Sequence, residues 1–326
     1  MSNYVKNAGN AMNTIPLTFN ENQISRTILG GSENPGEHLN ISVILINKIG
    51  SQFKTKVFDE LLKCNFASIV SIEPDTGNYN IEEVSRRYPT IKFIIPHEEV
   101  TDGEMINMGM AEINSDFVFV LKDSLYIPQG IILPHLAENL TKTRCLCIVP
   151  RLVDMKKNGL PIQKSPSAKK SHFILESSAF VTDGINTVYP FDYVGIYNRE
   201  KFIQLGGFDY TIKSPYWQLL DFGIRAHLFG ESIRITTALQ LSYSDEHPIE
   251  DSTPGLDSLR FYLKNENPKF HVDHAFVSPL SFWRFFFGSS CGVLEARRQF
   301  IDAKNWVFVN KYKFKKDLKT LIEEWK

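Results

Sequence analysis

The run Ile41-Ser-Val-Ile-Leu-Ile46 constrains this chain more than any other segment. Mostly β-branched residues without polar alternation leave no wet side, so the run reads as a strand buried on both faces, the kind found inside parallel sheets. Val57, Phe58, Leu61 and Leu62 then recur at helical spacing within 54–63, and a second strand follows at 67–72. The alternation continues with a helix at 81–88, a strand at 91–95, a helix at 103–113 and a strand at 116–121. Such an order implies an α/β, Rossmann-like fold: a twisted, mainly parallel sheet flanked by helices, with right-handed crossovers. Ligands in these folds sit at the carboxyl ends of the strands. Three polar positions meet that rule: Asn47, Glu73 and Lys122-Asp123-Ser124.

Further along, 146–152, 178–182 and 232–237 read as strands and 216–229 as a helix. Another helix at 199–205 is closed by Gly206-Gly207. Residues 154–172, rich in Lys, Pro and Ser, are expected to form a surface loop. Residues 1–38, rich in Asn, Ser, Gly and Thr, read as an arm, 39–250 as the main domain, and 251–326 as an aromatic and basic helical extension. In that extension Trp306, Phe308, Tyr312 and Phe314 interleave with Lys311, Lys313, Lys315, Lys316 and Lys319. The stripe fits either a peripheral membrane contact or a helix with a solvated basic face.

With 36 Lys+Arg against 37 Asp+Glu, whole-chain charge offers nothing to nucleic acid. The four cysteines contain no Cys-x-x-Cys pair, which argues against a zinc site or a disulfide framework. No window approaches the roughly 20 apolar residues of a membrane span, and no basic segment followed by an apolar core opens the chain. A cytoplasmic location is expected.

Four pieces occur in a telling order: Ser42-Val-Ile-Leu-Ile-Asn47, Gly103-Glu-Met-Ile-Asn-Met-Gly109, Phe117-Val-Phe-Val-Leu-Lys-Asp-Ser124 with Pro128-Gln-Gly130, and Arg199-Glu-Lys-Phe-Ile-Gln-Leu-Gly-Gly-Phe-Asp209. Together they resemble glycosyltransferase family 2 and its GT-A fold over residues 40–245. The resemblance implies a nucleotide-sugar donor, UDP- or GDP-linked, lying across the carboxyl ends of the first strands. It implies Asn47 and Glu73 as the residues around base and ribose, with Asn107, Gly109, Lys122 and Asp123 also facing the donor. For Glu73 a solvated loop acid is the plain alternative, and for Asn107 and Gly109 it is helix packing.

The resemblance also implies Mg²⁺ or Mn²⁺ held by an Asp-x-Asp-like pair after the fourth strand, where it would bridge the diphosphate. Here Lys122 and Ser124 stand in place of those acids, leaving Asp123 and a later His247 as the metal candidates. An ammonium at Lys122 offers a different route, since a leaving phosphate needs positive charge but not necessarily an ion, the plain alternative being a solvent-facing lysine. The acceptor base is displaced in the same way: Gln218 and Leu219 stand where the family has Glu-Asp, and Asp221 aligns with its later Asp. Asp221 and Arg225, spaced i,i+4, can pair on one helical face, which would weaken Asp221 as a base. Asp192 follows an aromatic loop that can line an acceptor pocket, and Asp209 is suited to fixing the turn after the glycines. Asp221 and Asp192 are therefore the catalytic candidates.

These features imply an inverting transferase that moves a sugar from a nucleotide diphosphate to an acceptor hydroxyl. The competing reading is a non-catalytic binding or scaffold protein of the same fold, favoured by Lys122, Ser124, Gln218 and Leu219 in place of acids. A nucleotidyltransferase is disfavoured because no Gly-rich phosphate loop opens the first helix.

Overall fold

A computed structural model describes residues 22–33, 36–48, 55–74, 80–128, 130–132, 134–170, 172–244, 246–289 and 292–325. Residues 1–21 of the expected arm lie outside the described residues, as do Gln129, Asp245 and Cys291. The described part of the arm contributes β1 (Arg26–Gly30). The expected alternation follows: β2 (Ile41–Ile46), α1 (Thr55–Leu62), β3 (Ile69–Ile72), α2 (Ile81–Arg87), β4 (Ile91–Pro96), α3 (Asp102–Ala111) and β5 (Phe117–Lys122). All six residues of β2 are buried, as a strand without a polar face requires.

The chain continues with β6 (Leu125–Tyr126), α4 (Pro134–Thr141), β7 (Cys147–Val153), β8 (Gln163–Lys169), β9 (His172–Ser178), β10 (Gly195–Asn198), α5 (Arg199–Leu205), α6 (Pro215–Leu228) and β11 (Ile233–Tyr243). Among the described residues nine strands form one sheet in the order β1-β4-β3-β2-β5-β10-β7-β11-β6. The β4-β3-β2-β5 block is parallel, and β11 runs parallel to β7. Antiparallel β10 separates β5 from β7, and β1 caps the β4 edge antiparallel.

Two expectations on this half are corrected. The stretch expected as a loop at 154–172 instead builds most of a hairpin, with β8 paired to β9 from Gln163↔Ser178 to Lys169↔His172. Its inward positions include Lys164, a charged residue that hides the period-2 signal. That lysine is buried because its ammonium pairs with Glu250 and donates to Ser177 Oγ at 3.1 Å. The strand expected at 178–182 is the second correction, since β9 ends at Ser178 and no strand continues.

The extension consists of α7 (Leu256–Phe261), a π-helical turn at Tyr262–Glu266, a hairpin of β12 (Lys269–His271) and β13 (His274–Phe276), then α8 (Ser281–Ser289), α9 (Val293–Asn310) and α10 (Leu318–Glu324). The hairpin is an addition to a region read as helical. Phe261, Leu263, Ala296, Phe300, Val307, Phe314 and Leu321 belong to the same hydrophobic core as the sheet, so the extension is packed on the domain. Within the aromatic-basic stripe Phe314 is core, whereas Phe308 and Tyr312 are exposed, with the Lys311 ammonium 4.2 and 4.9 Å from their ring centres. Among the described residues no helix is long and apolar enough to cross a membrane.

Candidate functional site

From β2 the chain steps outward to β3 and β4, then returns to place β5 on the other side of β2. The strand order therefore reverses between β2 and β5, and in such sheets ligands bind outside the carboxyl ends at that point. Backbone bonds tie this place together: Lys48 N donates to Asp123 Oδ2 at 2.9 Å, and Asp123 N donates to Ile46 O at 3.1 Å. Asn47 Nδ2 reaches Glu73 Oε1 at 2.6 Å, Ser71 Oγ at 2.8 Å and Ile72 O at 2.9 Å. Asn47, Glu73 and Asp123 thus meet around the end of one strand. Asn47 and Glu73 are each only 1% exposed, so they lie buried beneath that strand end.

Lys122 closes β5. Its Nζ lies 2.5 Å from Asp102 Oδ2, 2.8 Å from Asp192 Oδ1 and 5.3 Å from the centre of the Tyr193 ring. Asp102 is the first residue of α3, a helix started by a capping box between Thr101 and Glu104. Asp192 arrives from a short 3-10 turn at Phe191–Tyr193, in which Asp192 and Tyr193 hold φ of 52° and 64°. Two successive non-glycine residues in the left-handed region are costly, and such strain persists only where surrounding contacts impose it. Here Lys122 holds one Asp192 oxygen and the Tyr243 hydroxyl donates to the other at 2.9 Å.

The electrostatics follow from burial and pairing. Burial pushes the Asp192 carboxyl above its ordinary value, with Lys122 and Tyr243 pulling the other way without overcoming it. Burial opposes the Lys122 charge, but Asp192 and Asp102 outweigh it and hold the ammonium above the usual lysine range. The group is a protonated lysine between two carboxylates, with one of them a strengthened base.

Gln218, standing where the resemblance expects an acid, is fully buried and its amide is fully used. Its Oε1 accepts from Tyr193 OH at 2.9 Å and from Gly103 N at 3.2 Å. Its Nε2 donates to Asp209 O at 2.9 Å and Ile212 O at 3.0 Å. Gln218 therefore ties the start of α6 to α3 and to the turn after Phe208.

Asp221 is sealed one turn further along α6. Its Oδ2 accepts from Arg225 Nη2 at 2.9 Å and Nε at 3.2 Å, and its Oδ1 accepts from Asn265 Nδ2 at 2.8 Å and lies 3.2 Å from Lys264 Nζ. The expected i,i+4 pair with Arg225 is present, and the extension completes it with Lys264. Asp221 has no exposed surface, and these contacts are to Arg225, Lys264 and Asn265. Asp209 fixes its turn, its Oδ1 accepting from Thr211 N at 2.9 Å while Oδ2 meets Lys264 at 2.5 Å. Burial would raise that carboxyl, but Lys264 and the Thr211 donors overcome it and hold it well below the carboxylate range.

Asn107 and Gly109 make packing contacts between α3 and its neighbours. Asn107 clamps Phe208, accepting from its N at 3.0 Å and donating to its O at 2.8 Å. A Cβ at Gly109 would lie 2.7 Å from Ile44 Cδ1, so the glycine lets α3 approach β2. His247 is half-buried beside Tyr243, with ring centres 6.2 Å apart. The sequence reading missed Asp102, Tyr243 and Lys264. Asp102 alone had a usable signal, an acid just after a capping Thr beyond a buried strand.

No protein-family model matches the chain, and no curated protein does. Among solved structures, GalNAc-T7 with UDP, GalNAc and Mn²⁺ aligns with 89% of this chain at a TM-score of 0.58 and 13% identity. The chain has the GT-A fold. It spans 57% of the length of that GalNAc-T7 chain. Two structures of S. aureus TarS 1–349, one with UDP-GlcNAc, cover 82% of this chain and 72% of their own at 14% identity, with TM-scores of 0.49 and 0.47.

For the GT-A fold the resemblance expects a divalent cation after β5. The residues present do not fit one. Among the described residues no three His, Cys, Asp or Glu side chains converge on a common point. Asp123 already accepts from Lys48 N, and Asp102 and Asp192 are both engaged by an ammonium. A hard cation needs several oxygen ligands turned toward it, and those of Asp102 and Asp192 are turned toward Lys122.

Proposed function

We propose that this protein binds a UDP- or GDP-linked sugar at the carboxyl ends of β2 and β5 and transfers the sugar, with inversion, to an acceptor hydroxyl. The GT-A fold supports the donor class, and Asn47 and Glu73, buried beneath the strand end, support its position. One observation carries the choice of base. Of the two acids singled out for that role, Asp221 has no exposed surface, whereas Asp192, held by Lys122 and Tyr243, keeps 8% exposure at the strand end and is strengthened as a base by burial.

In the transfer, the acceptor oxygen bonds to the anomeric carbon, its proton passes to Asp192, and the bond from that carbon to the diphosphate oxygen breaks. Lys122 couples the two ends of the step. Before transfer one ammonium faces two carboxylates, so the cluster carries one excess negative charge. Once Asp192 takes the proton the cluster becomes neutral, with Lys122 still paired to Asp102, so the repulsion it offers the diphosphate falls as negative charge grows there.

Nucleotide release from UDP- and GDP-sugars tests the reading. Asp192→Asn is expected to lower transfer by about 10²–10⁴-fold while nucleotide binding persists. Unchanged transfer in that variant would remove Asp192 as base. The non-catalytic binding reading draws on the spent amide of Gln218. Nucleotide binding by the wild type with no release, whatever the acceptor, would favour it.

A further inference from the structure

The end of β5 is held together by a cation that belongs to the chain. We infer that the Lys122 ammonium is the resident cation of this strand end, standing between Asp102 and Asp192 so that nucleotide binds without Mg²⁺ or Mn²⁺, an inference that rests on the nucleotide-sugar reading above. The geometry is that of a filled site: Nζ is 2.5 Å from one carboxylate and 2.8 Å from the other, with the side chain only 15% exposed. Two neighbouring oxygens are engaged as well. Asp192 Oδ2 takes the Tyr243 hydroxyl, and Asp123 Oδ2 takes the Lys48 amide.

A divalent ion entering here would have to displace an ammonium from two carboxylates or sit beside it against like-charge repulsion. Lysine also differs from a metal in what it does for the fold. Its tether draws Asp102, at the start of α3, and Asp192, in its left-handed turn, to one point whether or not a ligand is bound. The acceptor-side acid is therefore positioned in advance.

Two measurements on the full chain test this. Mn²⁺ binding is read from the loss of the free-ion signal in electron paramagnetic resonance, for wild type, Lys122→Met and Lys122→Arg. UDP and GDP binding is read by calorimetry with EDTA and with Mn²⁺. Wild type and Lys122→Arg are expected to leave Mn²⁺ free and to bind nucleotide equally in both buffers. Lys122→Met exposes Asp102 and Asp192 to each other and is expected to gain Mn²⁺ affinity by at least about tenfold. Adding Asp102→Asn to it should abolish that gain.

Mn²⁺ binding by the wild type as tight as by Lys122→Met, or nucleotide binding that EDTA abolishes, would overturn the inference. Should Lys122→Met not fold, the wild-type and Lys122→Arg titrations still decide. If neither nucleotide binds under any condition, the donor reading fails by itself, while the Mn²⁺ series still reports whether Lys122 fills the cation position.

Discussion

Replacing Asp221 by Asn separates a structural acid from a catalytic one. The substitution keeps the shape and removes one charge from a cluster in which Asp221 and Asp209 balance Arg225 and Lys264. Arg225 is itself buried and directs its other donors to Leu205 O at 2.8 Å and Gly207 O at 2.9 Å, so it cannot swing to water. Removing one member of a buried pair leaves an uncompensated charge and costs about 3–5 kcal/mol. Against a total stability of about 5–15 kcal/mol, that is a large share. Urea denaturation reads the loss as a lowered midpoint at unchanged slope. Transfer measured where the variant is still folded should be close to wild type. An Asp221→Asn protein as stable as wild type, yet about 10²-fold or more slower in transfer, would refute the structural assignment and restore Asp221 as the base.

Two pH dependences follow. Burial holds His227 down to about 4 from 6.5, its ring bonded to Thr187 O at 3.0 Å and packed on Trp325. A depressed pKa means the unfolded chain takes the proton first, so stability is full above pH 6.5 and falls as pH drops toward about 4. The loss is about 3 kcal/mol, and His227→Gln should flatten it in denaturation curves taken across that range. An equal acid slope in the variant would contradict the assignment. For Asp192 the raised carboxyl must be ionised to act, so transfer should fail on the acid side at a higher pH than an ordinary aspartate allows. An acid limb at or below the usual aspartate value would count against it.

The parallel half of the fold was legible because its strands have no wet face. Ile41–Ile46 and Phe117–Lys122 are apolar runs of fixed length between polar ends, and their order alone places the strand ends where a ligand is expected. The turn after α5 was legible too, since Gly206 takes φ of 100°, which favours glycine. The hairpin of β8 and β9 was not, because its inward Lys164 is neutralised by Glu250, 86 residues away. At four residues β10 is too short to show a period, though it sits in the middle of the sheet.

The site divides in the same way. Asn47, Glu73 and Asp123 follow strands and are found by the strand-end rule. Lys122 was visible as a departure from a pattern, but its meaning lies in Asp102 and Asp192, brought to it by a helix start and a left-handed turn. No local spacing encodes that meeting. The i,i+4 pair of Asp221 and Arg225 was readable, while the lysine that completes it comes from the extension.

Crystals soaked with UDP or GDP in the presence of EDTA test the central claim most directly. The diphosphate is expected at the carboxyl ends of β2 and β5, within reach of the Lys122 ammonium, with the base above Asn47 and Glu73. Nucleotide bound elsewhere on the chain, or none at saturating concentration, would contradict the account.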